Sequence, residues 1–208
     1  MVRTTAGSRS ARTTVRAALE ESMTTRWRPD FDPEHLYFLT TTAANHTRIF
    51  QRDVVKRILV DGLYFISLMN RVQLFAFVVM PNHMHGILQC PPDCPPGDWV
   101  RAFKTSTAQL IVRLYQVENN QPALDALAAL VTRPDKQGHK VWEDNYFAEN
   151  VVTPEFLAQK LAYIHNNPVQ DQWLLADSPE AYAWSSARFY LEGKPGLIAV
   201  QDVRECLG

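Results

Sequence analysis

Two apolar, strand-prone runs, QLFAFVVM (73–80) and HMHGILQC (83–90), are separated only by Pro81 and Asn82. Runs this close leave room for a tight turn and nothing longer, so the middle of the chain reads as a hairpin. The segments around it alternate in period. HLYFLTTT (35–42) is aromatic and β-branched, the composition of a strand. Residues 48–71 place Ile49, Val54, Ile58, Leu59, Leu63, Ile66 and Leu68 on one broad helical face, with Arg48, Arg52, Lys56 and Arg57 elsewhere. After the hairpin, CPPDCPPGD (90–98) reads as a Pro-rich loop. Residues 99–116 read as a helix with Val100, Phe103, Leu110, Ile111 and Leu114 inside and Arg101, Lys104 and Arg113 outside. Residues 117–139 have the look of an insertion around a short Ala/Leu helix, and VWEDNYFAENVV (141–152) of a further strand or irregular β segment. Thr153-Pro154-Glu155 then opens a last helix with an N-cap hydroxyl, a proline at the first position and an acid in the first turn. Pro168 ends it near Asn167. The order β-α-β-β-α-β-α predicts an α+β chain: a ferredoxin-like (RRM-like) split βαβ core, an antiparallel sheet and an additional C-terminal helix.

A chain of 208 residues suits one domain with decoration, and 46% apolar against 21% charged residues is ordinary for a globular protein. Asp30 and Pro33 mark a boundary, so the folded part is expected to start near residue 34. Residues 1–33 are rich in Arg, Ser and Thr, with no acid before Glu20. That composition fits an organelle transit peptide or a flexible basic arm, and we read an arm. Cys90, Cys94 and Cys206 show no framework spacing and read as free thiols in a reducing cytoplasm. No run of about 18 apolar residues exists, so no membrane span is expected. A net charge of −1 gives no global pointer to nucleic acid, so any such case must come from a site.

Two constellations carry chemistry. His83 and His85 lie two apart on a strand and share a face, so both imidazoles can reach one ion. Taken alone the pair is weak evidence, since two polar residues on a strand's solvent face are the commoner reason for such spacing; here it follows a tight turn within an otherwise apolar sheet. A zinc site using Cys90 and Cys94 is the competing arrangement, but Cys90 lies five positions from His85 and points to the opposite face of a continuous strand. On the helix 153–167, Phe156, Lys160, Tyr163 and Asn167 form one stripe beside an apolar stripe of Leu157, Leu161 and Ile164. Tyr163 thus sits at the edge of the buried face, a place that suits a nucleophile or a rim-exposed core tyrosine.

Together, the strand-turn-MPNHMH motif and the later helix ending in YIHNNPV resemble the single-tyrosine HUH transposases, and most closely the REP-associated tyrosine transposases of bacteria. The entry strand FLTTTAANHTRIF, RAFKTSTA, VWEDNYF and WSSARFY add to the likeness, which spans roughly residues 34–192. The resemblance implies a catalytic domain over 34–192, with 193–208 as a C-terminal tail. It implies metal binding by His83 and His85, nucleophilic attack by Tyr163, and a third metal ligand at the polar residue four after the tyrosine, Asn167. It implies Mg or Mn, cleavage of single-stranded DNA beside a hairpin through a 5′-phosphotyrosine, and rejoining of strands. A cytoplasmic, nucleoid-associated bacterial enzyme, monomer or homodimer, is the corresponding expectation. Helix geometry agrees on Asn167: +4 lies about 40° around the axis from Tyr163, whereas His165 at +2 lies about 160° away. Gln170, Asp171 and Gln172 stand where relatives often carry a basic residue, and the 117–139 segment is long.

Lys160, Arg101 and Lys104 are the expected DNA contacts, Lys160 as a second positive charge near the phosphate. Two other classes compete. A non-catalytic RRM-type binder needs aromatics on the sheet strands, and strand 83–90 carries histidines instead. A metal-dependent phosphoester hydrolase would leave Tyr163 merely structural.

Overall fold

The computed structural model describes residues 30–204, so the N-terminal arm up to residue 29 and Cys206 lie outside the described residues. Four strands, β1 (Leu36–Thr42), β2 (Gln73–Val79), β3 (His83–Gln89) and β4 (Phe147–Val151), form one sheet in the order β2-β3-β1-β4 with every pairing antiparallel. The Pro81-Asn82 turn joins β2 to β3, closed by the Met80 N–H donating to the His83 carbonyl at 2.8 Å. The α+β fold with an antiparallel sheet is therefore as expected.

Period-two alternation splits the sheet into two faces. Tyr37, Leu39, Phe77, Val79, Met84 and Leu88 enter the larger core, with α1 (Asp53–Met69) and α2 (Pro96–Val117). Phe38, Phe75, Val78 and Ile87 enter a second core, with Leu157 and Ile164 of α4 (Pro154–Asn166). Between them in sequence, α3 (Gln121–Ala129) is capped by the Asn120 side chain and adds Leu124 and Leu127 to the first core.

The helices sit where periodicity puts them, but their buried stripes are rotated. In α1 the inward residues are Val55, Leu59, Val60, Leu63 and Ile66, while Val54 is 41% and Leu68 61% exposed. The helix begins only at Asp53, after two 3-10 turns, so Ile49 cannot set its phase. In α2 the stripe runs through Trp99, Val100, Phe103, Thr107, Ile111 and Tyr115, leaving Leu110 exposed. Its first turn is Pro96-Gly97-Asp98, expected as loop; proline is tolerated there because the first amide has no helical acceptor. Polar Thr107 belongs inside because its hydroxyl accepts the Trp142 indole N–H at 3.0 Å. Gly62 marks the closest approach of the two helices, since a Cβ there would lie 2.7 Å from Thr107 Cγ2.

The outer edge of β2 is covered. Val79 N–H donates to the Trp184 carbonyl, Ser186 N–H to the Phe77 carbonyl, and Gln201 N–H to the Leu74 carbonyl, each within 3.0 Å. Past α5 (Ala187–Glu192), residues 193–204 return to the sheet and bury Val203 completely in the second core. Such cover removes a free edge that would otherwise invite another strand.

Candidate functional site

The site lies on the α4 face of the sheet. Cross-strand register pairs Thr40 with His85 and Thr42 with His83, so the odd-numbered residues of β3 face α4 alongside Phe38 of β1. The His83 and His85 rings are 4.7 Å apart between centroids, and the Tyr163 ring lies 5.0 Å from that of His85. Phe38 stacks on His85 at 5.4 Å and meets Tyr163 edge-on at 6.0 Å. Residues 78 to 80 positions apart in sequence thus converge on one spot.

Hydrogen bonds orient both imidazoles. His85 Nδ1 lies 2.7 Å from Thr40 Oγ1, and His83 Nδ1 lies 2.7 Å from Asn82 Oδ1. With each Nδ1–H donated, both Nε2 atoms present lone pairs. Burial pushes His83 down to about 4, helped by His46, and pushes His85 well below its ordinary value, helped by His83 and Lys160. Both rings are therefore neutral at pH 7, the form that ligates a cation.

Tyr163 is 42% exposed. Burial of its ring raises the phenol above its ordinary value of 10, and a hydrogen bond from Asn167 opposes that rise. Asn167 is buried, and its Oδ1 has no partner, so its amide N–H is what meets the phenol. Its backbone is still helical, with φ −53° and ψ −45°, and the 3-10 turn Asn167–Val169 that follows the helix leaves its side chain on the stripe with Tyr163. His165 points away: its Nε2 meets Ser186 Oγ at 3.0 Å and its ring lies 5.2 Å from that of Tyr190.

The arrangement fits a divalent ion. His85 Nε2 and Asn167 Oδ1 are both buried without a hydrogen-bond partner, a costly state unless another group satisfies them. Among the described residues no group of three His, Cys, Asp or Glu gathers, and the Asn167 amide oxygen is the unpartnered donor on the tyrosine side of the site. Cys90 and Cys94 lie in the core on the other side of the sheet, and burial pushes Cys90 up to about 12. They do not join the histidines.

Lys160 is at the site but not a solvated cation. Its Nζ sits 4.4 Å from the Phe38 ring centre and 2.8 Å from Glu149 of β4. Arg101 and Lys104 are elsewhere. They line a cleft of about 870 Å³ on α2, which covers the opposite face of the sheet. Arg101 pairs with Asp98, and Lys104, lowered to about 8 by burial, donates to the Glu143 and Asn145 carbonyls. Sequence reasoning passed over Phe38, Thr40, Asn82, Glu149 and Trp173, the last 5.7 Å from His83. Only Asn82, beside His83 in the turn, had a local signal.

No curated protein matches the chain. Among solved structures, that of a REP-associated tyrosine transposase bound to a REP hairpin is similar over 86% of this chain and 93% of its own, with a TM-score of 0.56 and 16% identity, a likeness of fold. A crystal structure of a candidate transposase from Deinococcus radiodurans R1 is 23% identical, covering 68% of this chain and 96% of its own, with a TM-score of 0.41. Residues 34–167, more than half of the chain, match the family described as "Transposase IS200 like". This chain belongs to the IS200-like transposase family.

Proposed function

We propose that the chain is a single-stranded DNA endonuclease and strand transferase, with Tyr163 as nucleophile and Mg or Mn held by His83, His85 and Asn167. The observation that carries this reading is the pair of buried, unpartnered atoms His85 Nε2 and Asn167 Oδ1 beside the partly exposed Tyr163. Family membership supports transposase chemistry, and the strand order β2-β3-β1-β4 supports a ferredoxin-like core spanning the catalytic residues of 34–192.

In this reading the Tyr163 oxygen attacks the scissile phosphorus. The new P–O bond to tyrosine forms as the bond to the 3′ oxygen breaks; the phenol loses its proton and the 3′ oxygen takes one up. Reversal rejoins strands without ATP because the phosphodiester energy is kept in the phosphotyrosine. When bound, the ion supplies Lewis-acid polarisation of the scissile phosphate. Neutral His83 and His85 and the Asn167 amide leave its charge for that phosphate. The Asn167 N–H stabilises the phenol oxygen as it becomes anionic. Lys160 adds a charge once the phosphate draws it from Glu149. The likeness to a protein solved with a REP hairpin supports a hairpin with a single-stranded flank as substrate.

The test is covalent trapping. A hairpin oligonucleotide should form a denaturation-resistant adduct with the native protein, suppressed by chelator and restored by Mn or Mg. Tyr163→Phe should lose the adduct and keep hairpin binding. Cleavage by the Phe variant at the native rate overturns the role of Tyr163, and product formed without any adduct favours the hydrolase reading.

A further inference from the structure

Beside His83 the protein presents a cation that no carboxylate among the described residues neutralises. Arg48 is exposed, and its guanidinium carbon lies 5.6 Å from the centre of the Trp173 ring. That indole is itself 5.7 Å from the His83 ring, so the run Tyr163, His85, His83, Trp173, Arg48 is continuous. Among the described residues Arg48 has no carboxylate partner, whereas its near neighbours Arg52, Lys56 and Arg57 are held by Glu118, Asp53 and Asp61.

Arg48 is also held in place. Its segment is stitched to the turn that carries His83: Ala43 N–H donates to the Asn82 carbonyl, Phe50 N–H to the Pro81 carbonyl, and the Asn82 side chain to the His46 carbonyl. Asn45 and His46 both adopt left-handed backbone, φ 52° and 53°. Non-glycine residues persist there only where their surroundings enforce it, and such strain gathers at ligand sites. An exposed arginine kept over an aromatic ring, with no carboxylate to occupy its donors, is preorganised for a phosphate.

Resting on the single-stranded DNA reading above, we propose that Arg48 and Trp173 form a phosphate subsite for the strand flanking the scissile bond. Arg48 receives a backbone phosphate next to the one at Tyr163. Trp173 holds the guanidinium and offers its remaining surface to the adjoining base.

The test uses the Tyr163→Phe background, where binding is read without covalent chemistry. Arg48→Met should weaken binding of a hairpin with a single-stranded flank roughly tenfold, and reduce the magnitude of its log–log salt slope by about 0.7, the share of one phosphate on a single strand. One methylphosphonate, placed in turn at each flanking phosphate, should reproduce that loss at one position with Arg48 present and add nothing in Arg48→Met. Mn affinity should stay unchanged. Native affinity and slope in Arg48→Met, or equal methylphosphonate effects in both proteins, overturn the subsite. Adduct trapping with native Tyr163 reads separately: adduct without an Arg48 effect sinks only the subsite, and an Arg48 effect without adduct sinks only the nucleophile.

Discussion

Thr40→Val probes the site through a residue whose assigned role is only to orient His85. Thr40 sits opposite His85 in the sheet register, and its hydroxyl lies 2.7 Å from His85 Nδ1. Valine keeps the shape and the strand propensity and removes the oxygen. The Nδ1–H then loses its acceptor, and the ring is free to carry its proton on Nε2, the atom expected to bind the ion. Loss of such an outer-shell partner lowers metal affinity by roughly 10- to 100-fold, or about 1.4–2.7 kcal/mol. The fold should survive, since one partly buried hydrogen bond contributes only about 0.5–1.5 kcal/mol. Two measurements suffice: Mn titration followed by electron paramagnetic resonance, and imidazole nitrogen shifts of the metal-free protein to read the His85 tautomer. Thr40→Ser should restore both. Native Mn affinity in a folded Thr40→Val would refute the claim that this bond presents Nε2.

Asn167→Ala should lower Mn affinity at least about tenfold while His165→Gln leaves it within about twofold, because His165 faces Ser186 and Tyr190 rather than the site; titration of both variants checks this, and the reverse pattern sinks the Asn167 assignment. Gly62→Ala normally gains helix propensity of about 1 kcal/mol, but here its Cβ meets Thr107 Cγ2 at 2.7 Å, and Thr107 is pinned by its bonds to Phe103 and Trp142. Net destabilisation of about 1–2 kcal/mol is expected from overpacking, read by urea unfolding, and a stabilised variant would contradict it. Cys90, raised to about 12 by burial, is almost wholly thiol at pH 8 and should resist thiol reagents until the protein unfolds; rapid labelling of the native protein at Cys90 would show that it is not in the core.

Much of the fold is legible locally because the signals are local. A two-residue gap dictates a hairpin whatever surrounds it, and Thr153-Pro154-Glu155 starts a helix with its own atoms, the threonine hydroxyl accepting from Phe156 N–H at 3.2 Å. The spacing of His83 and His85, and of Tyr163 and Asn167, follows from strand and helix periods, so each pair shares a face before any tertiary contact forms. Which face is buried is a different matter. Val54, Leu68 and Leu110 are as apolar as their neighbours, yet lie outside because Gly62 lets α1 and α2 approach along a line that takes in Thr107 instead.

The site divides the same way. Its chemical groups are readable as residue types, but their tuning comes from partners far along the chain. Thr40 reaches His85 across 45 residues through strand register, and Glu149 takes Lys160 from β4. Arg48 meets Trp173 only because the segment before α1 and the segment after α4 close over the same end of the sheet. Sequence alone therefore determined the elements and the chemistry they carry, since propensity and periodicity act over a few residues. Strand order and helix packing decided which of those groups are neutral, oriented or free to meet a substrate, because burial and pairing exist only once distant segments meet.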